Sequence, residues 1–486
     1  MRPGDLFAEL WLVVEPHEAA VTQRPWHGRQ ATEFARIQER FETATTRDVP
    51  AEVVDYLASR PVAFECDVAK AEERAFVVMC ALDQAAMIIH PAIKTRFSGR
   101  SLSAGPMLAA MRSDRTAKGS YGAVEKGLVL PKGHLMPGKP RTRGEDESGS
   151  ALAHHFSFLS FVPTPAKHFI LRPLALPPSR LSVSEAASSL VGLAPIAEDR
   201  DDLEFSASER QKRPYLDTAP AESNLKDRIE EQVCALLDKG AGLIVLPELV
   251  TSGAAAENLS ESLRKQGRSH NAMVLVGSGP SVEISDEVGR PYNESLVMTA
   301  QGDELFRQRK LNAFNMAWKW MEECSVPRAV GHEAHAHMED CATGQELVIC
   351  DIHGLGRVMV LICEDLEQQT PGGDVCLHAL PDWVLTPVLD VGLAFGRWHH
   401  RRAIEIGRKS LSRFVVSCSA ILQVRALNKD KLIETAEEEI RTGFCFDGRE
   451  DLRAWFVATG GPTAERHMVV EWKADTWKKH RIEEGH

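Results

Sequence analysis

The chain has 486 residues, room for roughly two or three domains at about 100–200 residues each, and is far too long for a disulfide-stapled miniprotein. Apolar residues at 43% and charged residues at 26% lie near the globular average, so the chain can bury a core. With 57 basic against 69 acidic side chains the formal charge is −12, which repels phosphate backbones and anionic membrane surfaces and argues against a nucleic-acid partner.

The ten cysteines form no Cys-x-x-Cys pair, and several, such as Cys418 in FVVSCSA, stand in apolar runs that suit reduced, buried thiols. The first residues, MRPGDLFAELWLVVEP, carry Asp5 and Glu9 where a signal peptide has an uncharged core. No run approaches the roughly 18 apolar residues of a membrane span. A soluble chain in a reducing cytoplasm is the expectation.

Residues 1–130 read as mainly helical, with apolar side chains at three- and four-residue steps in EFARIQERFETA, AEVVDYLASR and AKAEERAFVVMCALDQAAMIIH. The Gly-, Pro- and charge-rich stretch PKGHLMPGKPRTRGEDESGS (131–150) reads as a linker, and 197–223 as a second polar stretch. HFILRPLAL between them suits an isolated strand. Beyond 223, short β-rich runs alternate with helical ones: the helix NLKDRIEEQVCALLDKG with Gly240 as its cap, then GLIVLP, AMVLVGSG, SLVMTA, RVMVLI, WVLTPV and FVVSCSA, the last two separated by the amphipathic GRWHHRRAIEIGRKS. TGFCFDG, LRAWFVATGG and HMVVEW close the chain as hairpin-like strands. Strands interleaved with helices argue for an α/β layered domain.

Three reactive side chains stand at the ends of these strands, where a sheet holds a group rigidly beside a cleft. Glu248 closes GLIVLPEL after Pro247, Lys310 ends ELFRQRK after the turn Gln301-Gly302-Asp303, and Cys363 follows RVMVLI and precedes Glu364 and Asp365. Singly, each has a plainer explanation: a core thiol, a solvated loop acid, a surface lysine. Together they supply what thiol chemistry needs, a nucleophile, a base and a fixed positive charge for an oxyanion.

The order Glu, Lys, Cys in the contexts LIVLPEL, YNESLVMTAQGDELFRQRKLN and GRVMVLICEDLEQQTPG resembles the nitrilase, or carbon–nitrogen hydrolase, superfamily. The likeness takes in Tyr292-Asn293 before the middle strand, the Gly-Asp turn and the Trp398–Glu405 helix followed by FVVSCSA, and covers roughly residues 165–480. It implies an αββα sandwich spanning 165–486, preceded by a helical extension (1–160) of open role that suits docking of a protein partner. It further implies a homodimer or higher homo-oligomer, no cofactor, and hydrolysis or acyl transfer at an amide or nitrile carbon–nitrogen bond of a small molecule. By that resemblance Cys363 forms a thioester, Glu248 is the base, and Lys310 with the backbone N–H of Glu364 holds the oxyanion; Asn293 joins the binding group. The family's second glutamate has no counterpart just after Lys310, where the first acids are Glu322 and Glu323. A longer Lys-to-Cys separation than the family's places an insertion before the Cys strand (325–345).

Two alternatives stay open: a nitrilase-fold interaction or regulatory component of a bacterial multi-protein system, for example a defence system, without turnover, and a glutaminase-type ammonia-supplying subunit. The sequence Ile362-Cys363-Glu364-Asp365 looks most like the glutaminase portion of glutamine-dependent NAD synthetases, and no ATP-using half is expected after it. In the insertion, His332, His335, His337 and Cys341 offer zinc-compatible ligands without a metal-site spacing, so the expectation is a lid near the substrate and no metal. GHLMPGK (133–139) lacks the Ser or Thr of a phosphate loop, and the basic run His399-His400-Arg401-Arg402 reads as packing and surface.

Overall fold

The computed structural model describes residues 1–22, 28–59, 70–93, 104–136, 151–166, 168–210, 213–285, 287, 289–328, 336–427, 441–448, 455–458, 468–473 and 476–479. Two large sheets form its centre. In the first, Gly279–Ile284, Pro291–Thr299, Met273–Leu275, Leu243–Val245, Leu190–Leu193, Met468–Lys473 and Thr476–Lys479 lie side by side, and Glu304–Arg309 also pairs with Pro291–Thr299. In the second the order is Trp455–Ala458, Arg441–Asp447, Arg413–Cys418, Trp383–Val388, Gly356–Val360, Glu346–Ile352 and Ile170–Ala175.

The period-two geometry of a strand sorts the apolar side chains of the first sheet between two cores. Leu243, Val245, Met273, Leu275 and Val297 face the second sheet. Ile244, Val274, Leu296 and Met298 face outward, against the helices Glu222–Asp238 and Gly253–Gln266. On the far side of the second sheet Ala403 and Ile406 of the helix Trp398–Ser410 join the core formed by Phe414, Val416 and Phe444. The layers are therefore αββα, the architecture expected of residues 165–486. Gly356–Val360, Trp383–Val388 and Arg413–Cys418 run parallel, as do Leu190–Leu193, Leu243–Val245 and Met273–Leu275. Covered on both faces, such strands read as unbroken apolar runs, which is why GLIVLP and FVVSCSA stand out in the sequence.

The N-terminal region contains the expected helices, Pro3–Val14, Gly28–Glu42, Ala51–Ala58, Ala71–Ala85 and Pro106–Lys118, around an aromatic core in which Trp11 stacks on Phe161 at 5.5 Å and Phe7 meets Phe156 edge-on at 5.0 Å. It also contains a three-stranded sheet, Gly122–Val124, Gly127–Pro131 and Leu159–Pro163, that a mainly helical reading omits. This sheet has two apolar faces: Val129, Leu159 and Phe161 enter the N-terminal core, while Leu128, Leu130 and Val162 enter the core of the sandwich. Residues 132–136 run on from it as a docking segment, whereas 137–150 lie outside the described residues. The Asp382 carboxylate accepts the N–H groups of Leu135, Met136 and Arg357 at 2.9, 3.0 and 2.7 Å. His134 contacts the Ser410 carbonyl at 3.0 Å, so the described part of the phosphate-loop-like segment, 133–136, serves docking. Of the basic run, His399 and His400 are buried.

The polar stretch 197–223 is a correction as well. Leu203–Arg210 and Arg213–Pro220 form a hairpin, extended by Ala336–Glu339 and Asn315–Ala317 into a four-stranded sheet. Leu203, Leu216 and Thr218 point inward and are buried, while Glu204 and Asp217 point out; one solvated face per strand lowers the mean hydropathy to that of a loop. No helix among the described residues is long and apolar enough to cross a membrane.

A buried ion triad clamps the N-terminal region to the second sheet. Asp351 bonds Arg357 Nε at 2.8 Å and Arg115 at 2.8 Å, and Arg357 is wholly buried. Burial alone would raise the Asp351 carboxyl; the two guanidinium groups outweigh it and hold the carboxyl below its usual range. Asp351→Ala strands the buried Arg357 and deprives the part-buried Arg115 of its partner, and is expected to cost about 3 kcal/mol, measured by urea denaturation. Because one sheet belongs to both cores, probes of the N-terminal and sandwich cores should lose signal in a single coincident transition.

Candidate functional site

Glu248, Lys310 and Cys363 meet at the ends of strands from the two sheets. Glu248 follows Leu243–Val245 by a short turn, Lys310 directly follows Glu304–Arg309, and Cys363 lies just beyond Gly356–Val360. They are 1%, 1% and 6% exposed, so their charges interact where water screens them poorly. Lys310 Nζ donates to Glu248 Oε1 at 2.8 Å, and the Cys363 thiol is near enough for the Glu248 charge to act on it. The other Glu248 oxygen accepts the N–H of Leu389 at 2.9 Å, just past the strand Trp383–Val388. The Glu248 carboxylate is thus met from three separate segments.

The second carboxylate on Lys310 comes from Glu339, at 2.6 Å from Nζ, not from Glu322 or Glu323. The latter two are exposed on the short helix Trp318–Glu323, where Glu323 pairs with Lys319 at 3.9 Å. Glu339 ends the strand Ala336–Glu339 in the expected insertion, and its Oε2 also accepts the N–H of Phe314 at 3.0 Å. The insertion is therefore in part a strand that delivers a carboxylate. The sequence offers one clue, that Glu339 ends the short alternating run HAHME, but the pairing with Arg213–Pro220 that aims it is long-range. His337 is buried on this strand, and His332 and His335 lie outside the described residues. Among the described residues no group of three or more His, Cys, Asp and Glu side chains is arranged to hold a metal ion.

Asn293 Nδ2 donates to Glu248 Oε1 and to Glu339 Oε1, at 3.0 Å in both cases. The opposite amide orientation would set an oxygen against two carboxylates. Both amide protons are used, which leaves none for an oxyanion. Glu364 opens the short helix Glu364–Glu367 right after the cysteine, and its side chain is bonded by Gln368. Its backbone N–H falls in the first turn, where helical N–H groups have no intrahelical acceptor.

Two non-glycine residues take left-handed φ here: Cys363 at 47° and Leu249, next to Glu248, at 58°. Such a backbone costs of order 1–3 kcal/mol and persists where surroundings dictate it. Asp365 supplies part of that constraint: it accepts N–H groups of Leu311 at 3.0 Å, Asn312 at 2.8 Å and Ile362 at 3.2 Å, tying the segment after Lys310 to the cysteine turn. Burial pushes its carboxyl up to about 7 despite these donors.

The electrostatics assign distinct states to the group. Burial opposes the Lys310 charge, but Glu248 and Glu339 prevail and hold its pKa well above the usual value. Burial raises Glu248 although Lys310 pulls it down. Burial would also raise Glu339, yet Lys310, Phe314 and Asn293 overcome it and leave that carboxyl low. Burial, then the Glu248 charge, lifts the Cys363 thiol far above its ordinary value, so the resting sulfur keeps its proton beside the carboxylate with the higher proton affinity of the pair. A cavity of about 20 Å³ lies beside the cluster, lined by Asn293, Glu339, Tyr292, Leu249, Leu216 and Cys341 among others.

No protein-family model and no curated protein matches the chain. Among solved structures it is similar to the glutamine-dependent NAD+ synthetase from Acinetobacter baumannii, at 15% identity and TM-score 0.38, over 60% of this chain and 47% of that one. This chain thus spans about half the synthetase's length. A mutant of Nesterenkonia AN1 amidase from the nitrilase superfamily is similar at 14% identity and TM-score 0.36, over 60% of this chain and 94% of the amidase. Saccharomyces cerevisiae Nit3, a member of branch 10 of the nitrilase superfamily, is similar at 14% identity and TM-score 0.35, over the same shares. Scores this low say nothing of activity.

Glu339→Gln removes a negative charge that raises Glu248, so the acid limb of the pH profile for Cys363 alkylation should move to lower pH. Glu322→Gln and Glu323→Gln should leave it in place. Rates of iodoacetamide labelling, followed by mass spectrometry between pH 4 and 9, check both outcomes.

Proposed function

We propose that the chain is a divergent carbon–nitrogen hydrolase that cleaves a small amide or nitrile through a thioester on Cys363. The observation that carries the reading is the buried cluster in which one carboxylate, Glu248, accepts the Lys310 ammonium and lies near enough to the Cys363 thiol to act on it electrostatically. In an amide substrate the sulfur attacks the carbonyl carbon while Glu248 accepts the thiol proton. The tetrahedral oxyanion is held by Lys310 and the N–H of Glu364. Collapse breaks the C–N bond, and Glu248 returns the proton to the departing amine. Water, deprotonated by Glu248, then attacks the thioester to release the acid and restore the thiol.

The resting proton distribution supports these roles. A thiol with a raised pKa needs a base in contact, and a base raised by burial holds a proton well enough to hand it on. The 6% exposure of Cys363 favours a small acyl group.

Cys363→Ala, Glu248→Gln and Lys310→Ala are each expected to lower turnover of short primary amides at least about 10²-fold, with circular dichroism unchanged. Mass spectrometry should find an acyl adduct on Cys363 in the wild-type chain. Turnover retained by Cys363→Ala would end the thioester mechanism.

A further inference from the structure

Asn293 is placed to act on Glu248, Glu339 and Lys310. It lies on Pro291–Thr299, between Lys310, just past the strand Glu304–Arg309, and Pro280 of the strand Gly279–Ile284. Its backbone carbonyl accepts the Lys310 N–H at 2.8 Å, which fixes where the lysine side chain leaves the main chain. Its side-chain nitrogen gives one proton to each carboxylate at 3.0 Å, on the same Oε1 of Glu248 that Lys310 engages. Two like-charged carboxylates around a single ammonium repel each other, and a neutral group donating to both is the arrangement that holds them together without adding charge. The residue is 1% exposed. Its Oδ1 is buried with no hydrogen-bond partner among the described residues, beside the 20 Å³ cavity, a volume suited to one water-sized molecule.

We infer that Asn293 is the positioning residue of this site: by bridging Glu248 and Glu339 it keeps Glu248 ionised and aimed at the Cys363 thiol, acting through the carboxylates and not on the substrate. A residue of lysine-like charge would add a second cation and lower both carboxyls; a hydroxyl would reach only one. Only a primary amide on this backbone offers two diverging N–H donors at zero charge.

The inference rests on the hydrolase reading, and one experiment separates their failures. Alkylation of Cys363 by iodoacetamide is followed against pH in the full chain, with the other cysteines as internal controls. Asn293→Asp keeps the shape but replaces the bridge with a third carboxylate, and should move the acid limb upward by about one pH unit or more, with about a tenfold loss of rate at neutral pH. Asn293→Ser removes one donor and should move it in the same direction by less. Ser295→Ala, on the same strand, should leave the profile unchanged while thermal melting reports any loss of fold. If Cys363 in the wild-type chain reacts no faster than the other thiols, the hydrolase reading fails and this inference with it. If Cys363 is selectively reactive and a folded Asn293→Asp or Asn293→Ser protein keeps the wild-type acid limb, Asn293 is merely structural and the inference alone is overturned.

Discussion

A single ammonium group, that of Lys310, is buried between the carboxylates of Glu248 and Glu339, and much of the surrounding structure exists to make that tolerable. An isolated charge in such a place would be expelled or neutralised, and even a pair returns its desolvation cost only when hydrogen bonds complete it. Here Leu389, Phe314 and Asn293 complete the carboxylates. The two carboxylates differ as a result: Lys310, Phe314 and Asn293 hold Glu339 low, while burial raises Glu248. One cation thereby sits between two chemically identical side chains of unlike proton affinity.

Holding this cluster requires four chain segments to agree in space. Glu248 belongs to the first sheet, Cys363 to the second, and Glu339 to the four-stranded sheet at the side. Asp365 links two of these by accepting N–H groups on either side of the Lys310–Cys363 gap. The left-handed φ at Cys363 gains its rationale from that linkage, since the strained turn projects sulfur from the strand end while the next carboxylate anchors it from behind.

The α/β class and the order of strands after residue 223 were legible because buried parallel strands are continuous apolar runs, visible without knowing their partners; the αββα layering came only from the family resemblance. Glu248 and Cys363 stood out as polar residues that end such runs, and Lys310 as the end of the polar strand ELFRQRK; the structure brings the three side chains together. Glu339 was not legible, because what aims it is a pairing with Arg213–Pro220 more than a hundred positions away, in a segment whose one solvated face disguised two strands as a polar loop. The three-stranded sheet near residue 130 escaped for a related reason: its strands lie on either side of the charge- and glycine-rich segment that dominates local composition.

That three-stranded sheet changes what the first 160 residues are. With Leu128, Leu130 and Val162 turned toward the sandwich and Val129, Leu159 and Phe161 turned away from it, neither neighbour can be removed without wetting an apolar wall. A chain begun after it would display that wall to its own kind. Self-association by such a fragment would then report the missing sheet and not the natural assembly of the protein, and the sandwich has to be studied with its N-terminal neighbour attached.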